Sequence, residues 1–437
     1  MVITIQIFNH QIKMKGIVMT KKSKNSTLIQ IVHPICCGLD VHKDKISACL
    51  ITVDENGKEQ HEIREFSSFT QDLQKMKAWL IVNNCPVVAM ESTGVYWHPV
   101  YNTIEDAMQV VLVNARHIKN VPGRKTDICD SKWLAGLLRH GLVKGSFIPP
   151  EHVREWRELS RLRRTYTESQ ADFKRRVHKL FITANIKIDS VVSDLFGVTG
   201  LNLIDLLCKN EEVTLEKVQE CTKGSLKKKA PELYLSLHGY FKDHHRFQLI
   251  GMMESIEMFQ NQIEQIDARL EILTRDHEDL LERLDEIPGI DKKSAQSIIG
   301  EVGVTLEEFE KMVAFVAWAG LCPGNNESAG KRKSGRNAVR NHPFKTILIG
   351  IAWAAIKTKG SYYKAKYYKL KSRRGAKKAI VAIAHKIAKA IYNIIKYGDR
   401  YKDLGEEYLS KPNKQRMLKN LAKKADALGM KLVSCEN

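Results

Sequence analysis

Ile35-Cys36-Cys37-Gly38-Leu39-Asp40-Val41-His42 is a short apolar run with a single acid near its end. A second run follows over Ile46 to Val53, then the turn Asp54-Glu55-Asn56-Gly57, then a third extended run from His61 to Phe66. Asn-Gly between apolar runs is a strong hairpin signal, so three strands in an antiparallel meander are expected. Beyond them Leu73, Met76 and Leu80 mark an amphipathic helix, and Val87-Val88-Ala89-Met90-Glu91 marks a strand. A helix from Trp97 to Met108, a strand over Val110 to Val113 and a helix carrying Asp127 and Asp130 complete the segment.

Three antiparallel strands followed by alternating helix and strand is the order of a ribonuclease-H-like α/β domain. That order gives the acids a geometry. Asp40 sits on the first strand and Glu91 at the end of the fourth, where open α/β sheets gather their ligands. Asp127 and Asp130, in Lys125-Thr126-Asp127-Ile128-Cys129-Asp130, stand three apart and share one helix face. Trp133, Leu134, Leu137 and Leu138 turn the other way, into a core. Four carboxylates of this kind suit Mg²⁺, and two ions roughly 4 Å apart stabilise the attacking and leaving oxygens of a phosphoryl transfer. Aspartates near a helix start also serve as caps or dipole partners. Charges inside apolar strands are costly, however, and usually have a task.

The formal charge of +20 and pI near 9.4 point to a polyanionic partner, nucleic acid first, because each cation set against a phosphate releases a counterion. The nine cysteines show no CxxC spacing and read as reduced thiols. No apolar run approaches the roughly 18 residues that span a bilayer, and no signal-peptide order is present. A cytoplasmic protein with no membrane partner is expected. Residues 1–30 read as a tail, with Met19-Thr20-Lys21-Lys22 resembling a start of translation.

After Pro149-Pro150 the texture becomes helical and Arg-rich: Arg154 to Lys179 holds nine Lys or Arg against four Asp or Glu. Trp156, Leu159, Leu162, Tyr166, Phe173, Val177 and Leu180 form its apolar stripe, and its cations are either a solvated face or phosphate contacts. Ile256, Phe259, Ile263, Ile266, Leu270, Leu273, His277, Leu280 and Leu284 alternate spacings of three and four, a coiled-coil seam. Its partner is either the Arg-rich helix of the same chain, folded back as an antiparallel arm with subunit contacts at the tip, which is the preferred reading, or the same helix of another subunit. Ile287-Pro288-Gly289-Ile290 with Ala295 and Ile298-Ile299-Gly300 resembles a helix-hairpin-helix, whose alternative is a plain packing corner.

Gly320 to Arg336 reads as a polar Gly-rich loop between apolar helices, holding Ser328 among basic residues. From Lys331 to Lys345 there are six Lys or Arg, including Lys331, Arg332, Lys333 and Arg336, and no acid. A phosphodiester can be held there. Serine needs activation, no base is apparent in the loop, and a metal held by the carboxylates is the expected source; the alternative is a basic, Ser-containing DNA-contact loop without covalent chemistry. Ser361 to Ile380 holds eight Lys or Arg, Arg373 and Arg374 among them, with four tyrosines and no acid. That pattern suits nucleic acid.

Four motifs occur in order: Gly38-Leu39-Asp40-Val41-His42-Lys43, then Met90-Glu91-Ser92-Thr93-Gly94-Val95-Tyr96-Trp97. Pro122-Gly123-Arg124-Lys125-Thr126-Asp127 with Asp130, and Gly320-Leu321-Cys322-Pro323-Gly324-Asn325-Asn326-Glu327-Ser328, follow. Together they resemble the bacterial insertion-sequence transposases of family one-ten. The resemblance implies an N-terminal RuvC-like domain whose Asp40, Glu91, Asp127 and Asp130 bind Mg²⁺. It also implies a C-terminal transposase domain whose Ser328 becomes covalently linked to DNA. Expected partners are donor and target double-stranded DNA, a structured guide RNA encoded by the element, and further copies of the chain in a dimer or tetramer. Nucleic-acid contacts are expected from Arg124, Lys125, Lys331, Arg332, Lys333, Arg336, Arg373 and Arg374, and the protein is expected at the nucleoid.

The expected fold is α/β plus α: a tail over 1–30, the RuvC-like DEDD domain over 31–150 and a helical linker with coiled-coil arm over 151–285. A mainly helical transposase domain over 286–410 and a basic tail over 411–437 complete it. One departure from the family pattern is Asn337-Ala338-Val339-Arg340-Asn341-His342-Pro343 in place of a basic Gly-Asn turn. The competing functional reading is a metal-dependent Holliday-junction-type nuclease acting by water attack. A non-catalytic nucleic-acid scaffold is the third.

Overall fold

The computed structural model describes residues 31–54, 57–92, 94–114, 130–209, 211–323, 326–328, 331–334, 342–409, 420–422 and 424–431. The chain forms two compact units that part between Ile148 and Pro149. The first is mixed α/β around a five-stranded sheet, and the second is mostly helical, consistent with a ribonuclease-H-like domain followed by a helical one.

In the first unit, β1 (Cys36–Val41), β2 (Lys45–Val53) and β3 (Glu59–Ser67) form the expected meander, and β4 (Val87–Glu91) and β5 (Gln109–Val113) add on the other side of β1. The sheet order is β3-β2-β1-β4-β5, antiparallel through β1 to β3 and parallel through β1, β4 and β5. β1 is apolar without alternation because both faces are covered. Cys37, Leu39, Leu50 and Met90 point into a core with Leu73, Met76 and Leu80 of α1 (Thr70–Val82) and Val100 and Ile104 of α2 (Trp97–Ile104). Cys36, Cys49, Ile51, Val87 and Ala89 point the other way, onto Leu134, Ala135 and Leu138 of α3 (Asp130–Arg139). β3 is exposed along most of its length, and its charges blunt a sheet edge. α2 stops at Ile104, short of the expected Met108, because Met108 is buried where the chain turns into β5. Trp133 is only half-buried, where a core position was expected.

In the second unit, α4 (Glu151–Thr183) runs antiparallel to a later long helix, with short helices α5 (Ile188–Val191), α6 (Val198–Cys208), α7 (Leu215–Cys221) and α8 (Ala230–Ser236) between them. That later helix, α9 (Asp243–Leu273), pairs Arg269 with Glu155, Asp267 with Arg163, and Ile256 O with the Gln170 amide. The fold-back expected from sequence is therefore seen. The seam itself differs: the helix ends at Leu273, and a tight turn over Arg275–His277 leads into α10 (Glu278–Asp285). The buried Thr274 hydroxyl donates back to Leu270 O and accepts from Gln296, satisfying a helix end where the heptad reading continued the helix. His277 is not a seam core residue; its ring meets Trp156 edge to face. On α4, Leu162 is 39% exposed, because Arg163 and Gln170 hold inward positions.

α10, α11 (Lys292–Val302), α12 (Met312–Trp318), α13 (Pro343–Ala355), α14 (Tyr362–Arg374) and α15 (Ala376–Tyr397) complete the unit. Phe344 and Tyr392 pack their rings at a tilt against Phe315 at their centre, and the Tyr392 hydroxyl donates to Phe309 O and Glu310 O. Gly289, at φ 88°, makes the turn between α10 and α11. A Cβ there would lie 2.5 Å from Ala355 N and 2.6 Å from Ile351 O, so α13 seals the turn. The hairpin is a packing corner, and its glycine approaches the chain's own backbone where a phosphate contact was the alternative.

Candidate active site

Leu39 pairs with Met90 across the parallel strands, so Asp40 and Glu91 are the next positions on neighbouring strands. Strands lie about 4.8 Å apart. Side chains alternate along each strand, and Cys36 with Gly38 on β1, and Val87 with Ala89 on β4, face α3. Asp40 and Glu91 fall on that same face. So does Ser47, which pairs with Asp40 across the antiparallel ladder.

Two contacts press α3 onto this face. A Cβ on Gly38 would meet Ser131 O at 2.2 Å and Ala135 N at 2.4 Å, so only glycine lets the helix lie this close. The Ser131 and Ser47 hydroxyls are 3.2 Å apart and both side chains are buried. Asp130, one residue before Ser131, thereby starts its helix beside the carboxyl ends of β1 and β4. Asp40 and Glu91 are thus neighbours on one face of the sheet, and Asp130 begins the helix that covers that face. Asp40 is partly open at 26% exposure and lies 3.2 Å from His42 Nε2. Asp127 lies outside the described residues, as do Arg124 and Lys125. Among the described residues no three His, Cys, Asp or Glu side chains close around a single ion. The donor set itself, carboxylate oxygens alone, has the chemistry of a hard divalent cation's ligands.

Ser328 ends a short strand. β6 (Asn326–Ser328) and β7 (Lys331–Ser334) form an antiparallel ribbon in which Ser328 pairs with Lys331 and a bulge falls at Asn326/Glu327. The Gly-rich stretch is therefore partly a two-stranded ribbon, with Lys331, Arg332 and Lys333 in one of its strands, where the sequence suggested a loop throughout. Arg336 lies outside the described residues.

Residues 37–185 match the model of a transposase DEDD domain of the IS110 type, and residues 281–369 match that of the transposase IS116/IS110/IS902 family. The chain carries both domains of an IS110-family transposase. No curated protein matches it. An IS110-type transposase is an enzyme that acts on DNA, and DEDD transposase domains are typically dependent on divalent metal. No described helix is long and apolar enough to cross a membrane.

In this transposase the two Arg-rich regions behave differently. On α4, Arg161 makes a two-pronged pair with Glu301 at 2.7 and 2.9 Å, and Arg157 donates to Gly300 O and Glu301 O. Burial lowers the Arg157 guanidinium to about 10 despite the nearby Glu301 carboxylate. Arg163 donates to Asp267, Gln296, Lys293 O and Ser297. These cations hold α4 to α9 and α11, so the phosphate reading fails for all three. Arg373 and Arg374, in the last turn of α14, are exposed.

Sequence reasoning missed Ser47 and Ser131, whose only signal was small polar residues inside apolar elements. It missed Glu301 as well, which reads as an ordinary helix acid until Arg157 and Arg161 are seen to converge on it.

Proposed function

We propose that this transposase is a site-specific recombinase of an insertion sequence, cutting and rejoining DNA through a covalent serine–DNA intermediate, with Mg²⁺ as cofactor. The observation that carries the reading is the placement of Asp40 and Glu91 side by side on one face, with α3 and Asp130 pressed onto that face through Gly38. Asp40, Glu91, Asp127 and Asp130 would hold the metal, which supplies Lewis-acid stabilisation of charge on phosphate oxygens. The chain's own part is positional. β1 and β4 fix two carboxylates in register, and the Ser47–Ser131 contact sets where the third begins.

Ser328 then attacks phosphorus. Its oxygen–phosphorus bond forms as one phosphorus–deoxyribose oxygen bond breaks, the serine proton is given up, and the released strand end takes a proton as its hydroxyl. Attack by a hydroxyl of another strand reverses the exchange, frees Ser328 and seals the new junction. Lys331, Arg332, Lys333 and Arg336, with Arg124 and Lys125, are assigned to phosphate contacts. A structured RNA from the element is the proposed guide, and a multimer would let the serine of one copy serve the carboxylates of another.

The test is to trap the protein on cleavable DNA with Mg²⁺ and denature it. A covalent adduct that is lost in both Ser328→Ala and Asp40→Ala supports the proposal. Cleavage that survives Ser328→Ala yet disappears in Asp40→Ala replaces it with water attack by a junction nuclease. Binding without breakage under any Mg²⁺ condition leaves a scaffold.

A further inference from the structure

No Asp or Glu occurs between Glu327 and Asp399, a span that carries nineteen Lys or Arg. Within it α13 and α14 expose two aromatic rings. Trp353 is 44% exposed and Tyr368 is 55% exposed, while Tyr367 between them is buried. The Tyr367 ring lies 6.0 Å from Trp353 and 5.3 Å from Tyr368, so the three form one row with its ends open. Lys371 Nζ stands 5.8 Å from the Tyr368 centroid.

Arg373 and Arg374 end α14, Gly375 turns the chain at φ 79°, and Lys377 and Lys378 begin α15. Lys371, Arg373, Arg374, Lys377 and Lys378 are all exposed, and none forms an ion pair with a described residue. Folding already uses the other aromatic residues of α14: Tyr362, Tyr363 and Tyr367 are buried. Trp353 and Tyr368 are left over, apolar faces held in water among uncompensated cations.

We infer that Trp353 and Tyr368, with Lys371, Arg373, Arg374, Lys377 and Lys378, form a stacking platform for a DNA strand whose bases are unpaired. An aromatic face stacks on a base only when that base has left its duplex, whereas cations bind the phosphates of either form. An enzyme that parts and exchanges strands generates such a substrate, so the inference rests on the reading of this chain as a strand-exchanging transposase.

The experiment measures binding of the full chain to a labelled single-stranded oligodeoxynucleotide, its duplex and the same sequence as RNA. In Trp353→Ala/Tyr368→Ala, single-strand affinity is expected to fall about 10- to 100-fold with duplex affinity unchanged, and Tyr368→Phe keeps wild-type binding. Equal loss on both forms, or no loss on either, overturns the platform. Preferential loss on RNA overturns the assignment to DNA. Lys371→Met, which leaves every buried ring in place, is the second variant should the double one fail to fold, and it too must weaken the single strand more than the duplex. The Ser328 adduct assay runs in parallel on wild-type protein. Its failure with a working platform removes the chemical reading alone, and its success with no single-strand discrimination removes the platform alone.

Discussion

α4 and the α14–α15 corner are both rich in Lys and Arg, and they differ in how far packing pairs those cations. Arg154 to Lys179 carries nine cations with four acids of its own, and Arg157, Arg161 and Arg163 reach Glu301 and Asp267 on α11 and α9. Ser361 to Ile380 carries eight cations and no acid, and its C-terminal half faces solvent. A basic helix whose neighbours supply carboxylates is consumed by folding; one without them keeps its charge for a polyanion. Charge density alone does not distinguish the two, because the deciding acids lie more than a hundred residues away.

The most forceful way to break the comparison is Glu301→Ala. Glu301 is 3% exposed, and its loss leaves the half-buried Arg157 and the half-exposed Arg161 without their carboxylate. A destabilisation of about 3 kcal/mol is expected in a urea titration, with half-exposed Arg161 keeping the figure at the low end of buried pairs. A change below about 0.5 kcal/mol would falsify the claim that these arginines are structural. Next in size is Gly38→Ala, which drives a methyl into the α3 backbone and should cost about 3 kcal/mol or slightly less after the helix shifts. Because that shift moves Asp130 from the sheet, Mg²⁺-dependent cleavage should fall further than stability does; proportionate loss of both would leave Gly38 a packing residue only.

Much of this was legible beforehand. The five strands, the fold-back of α4 and α9, and the acids on β1 and β4 follow from apolar periodicity and turn chemistry. The seam's end at Thr274 was not legible, because a threonine fits a heptad pattern until its hydroxyl finds Leu270 O. Nor was the sealing of the Gly289 turn, which depends on α13 arriving from beyond residue 342.

Arg373→Ala/Arg374→Ala sharpens the other half. Stability should stay within about 0.5 kcal/mol, and the slope of log affinity for duplex DNA against log salt should shrink by about 2. An unchanged slope would place both side chains away from phosphate. The smallest effect concerns His342, whose ring meets Trp318 at 4.5 Å and whose Nδ1 is buried without a partner among the described residues. Burial lowers its pKa, Glu301 opposes the shift, and Arg161, Arg157 and Lys345 add to it. A lowered histidine contributes stability above its unfolded value near 6.5 and loses it as pH falls through the folded value. His342→Gln should therefore flatten a loss of under about 1 kcal/mol between pH 7 and 5, read from thermal midpoints at each pH.

By itself the sequence determined the strand and helix order, the net basic charge, and which acids and which serine are the candidates. All of these are fixed by side-chain periodicity and motif spacing along the chain. Only the tertiary structure decided which face of the sheet Asp40 and Glu91 share with α3, which arginines are spent on Glu301 and Asp267, and which aromatic rings stay in water. Those outcomes depend on partners distant in sequence, and a residue's charge or ring is available to a ligand only where packing has not already paired or buried it.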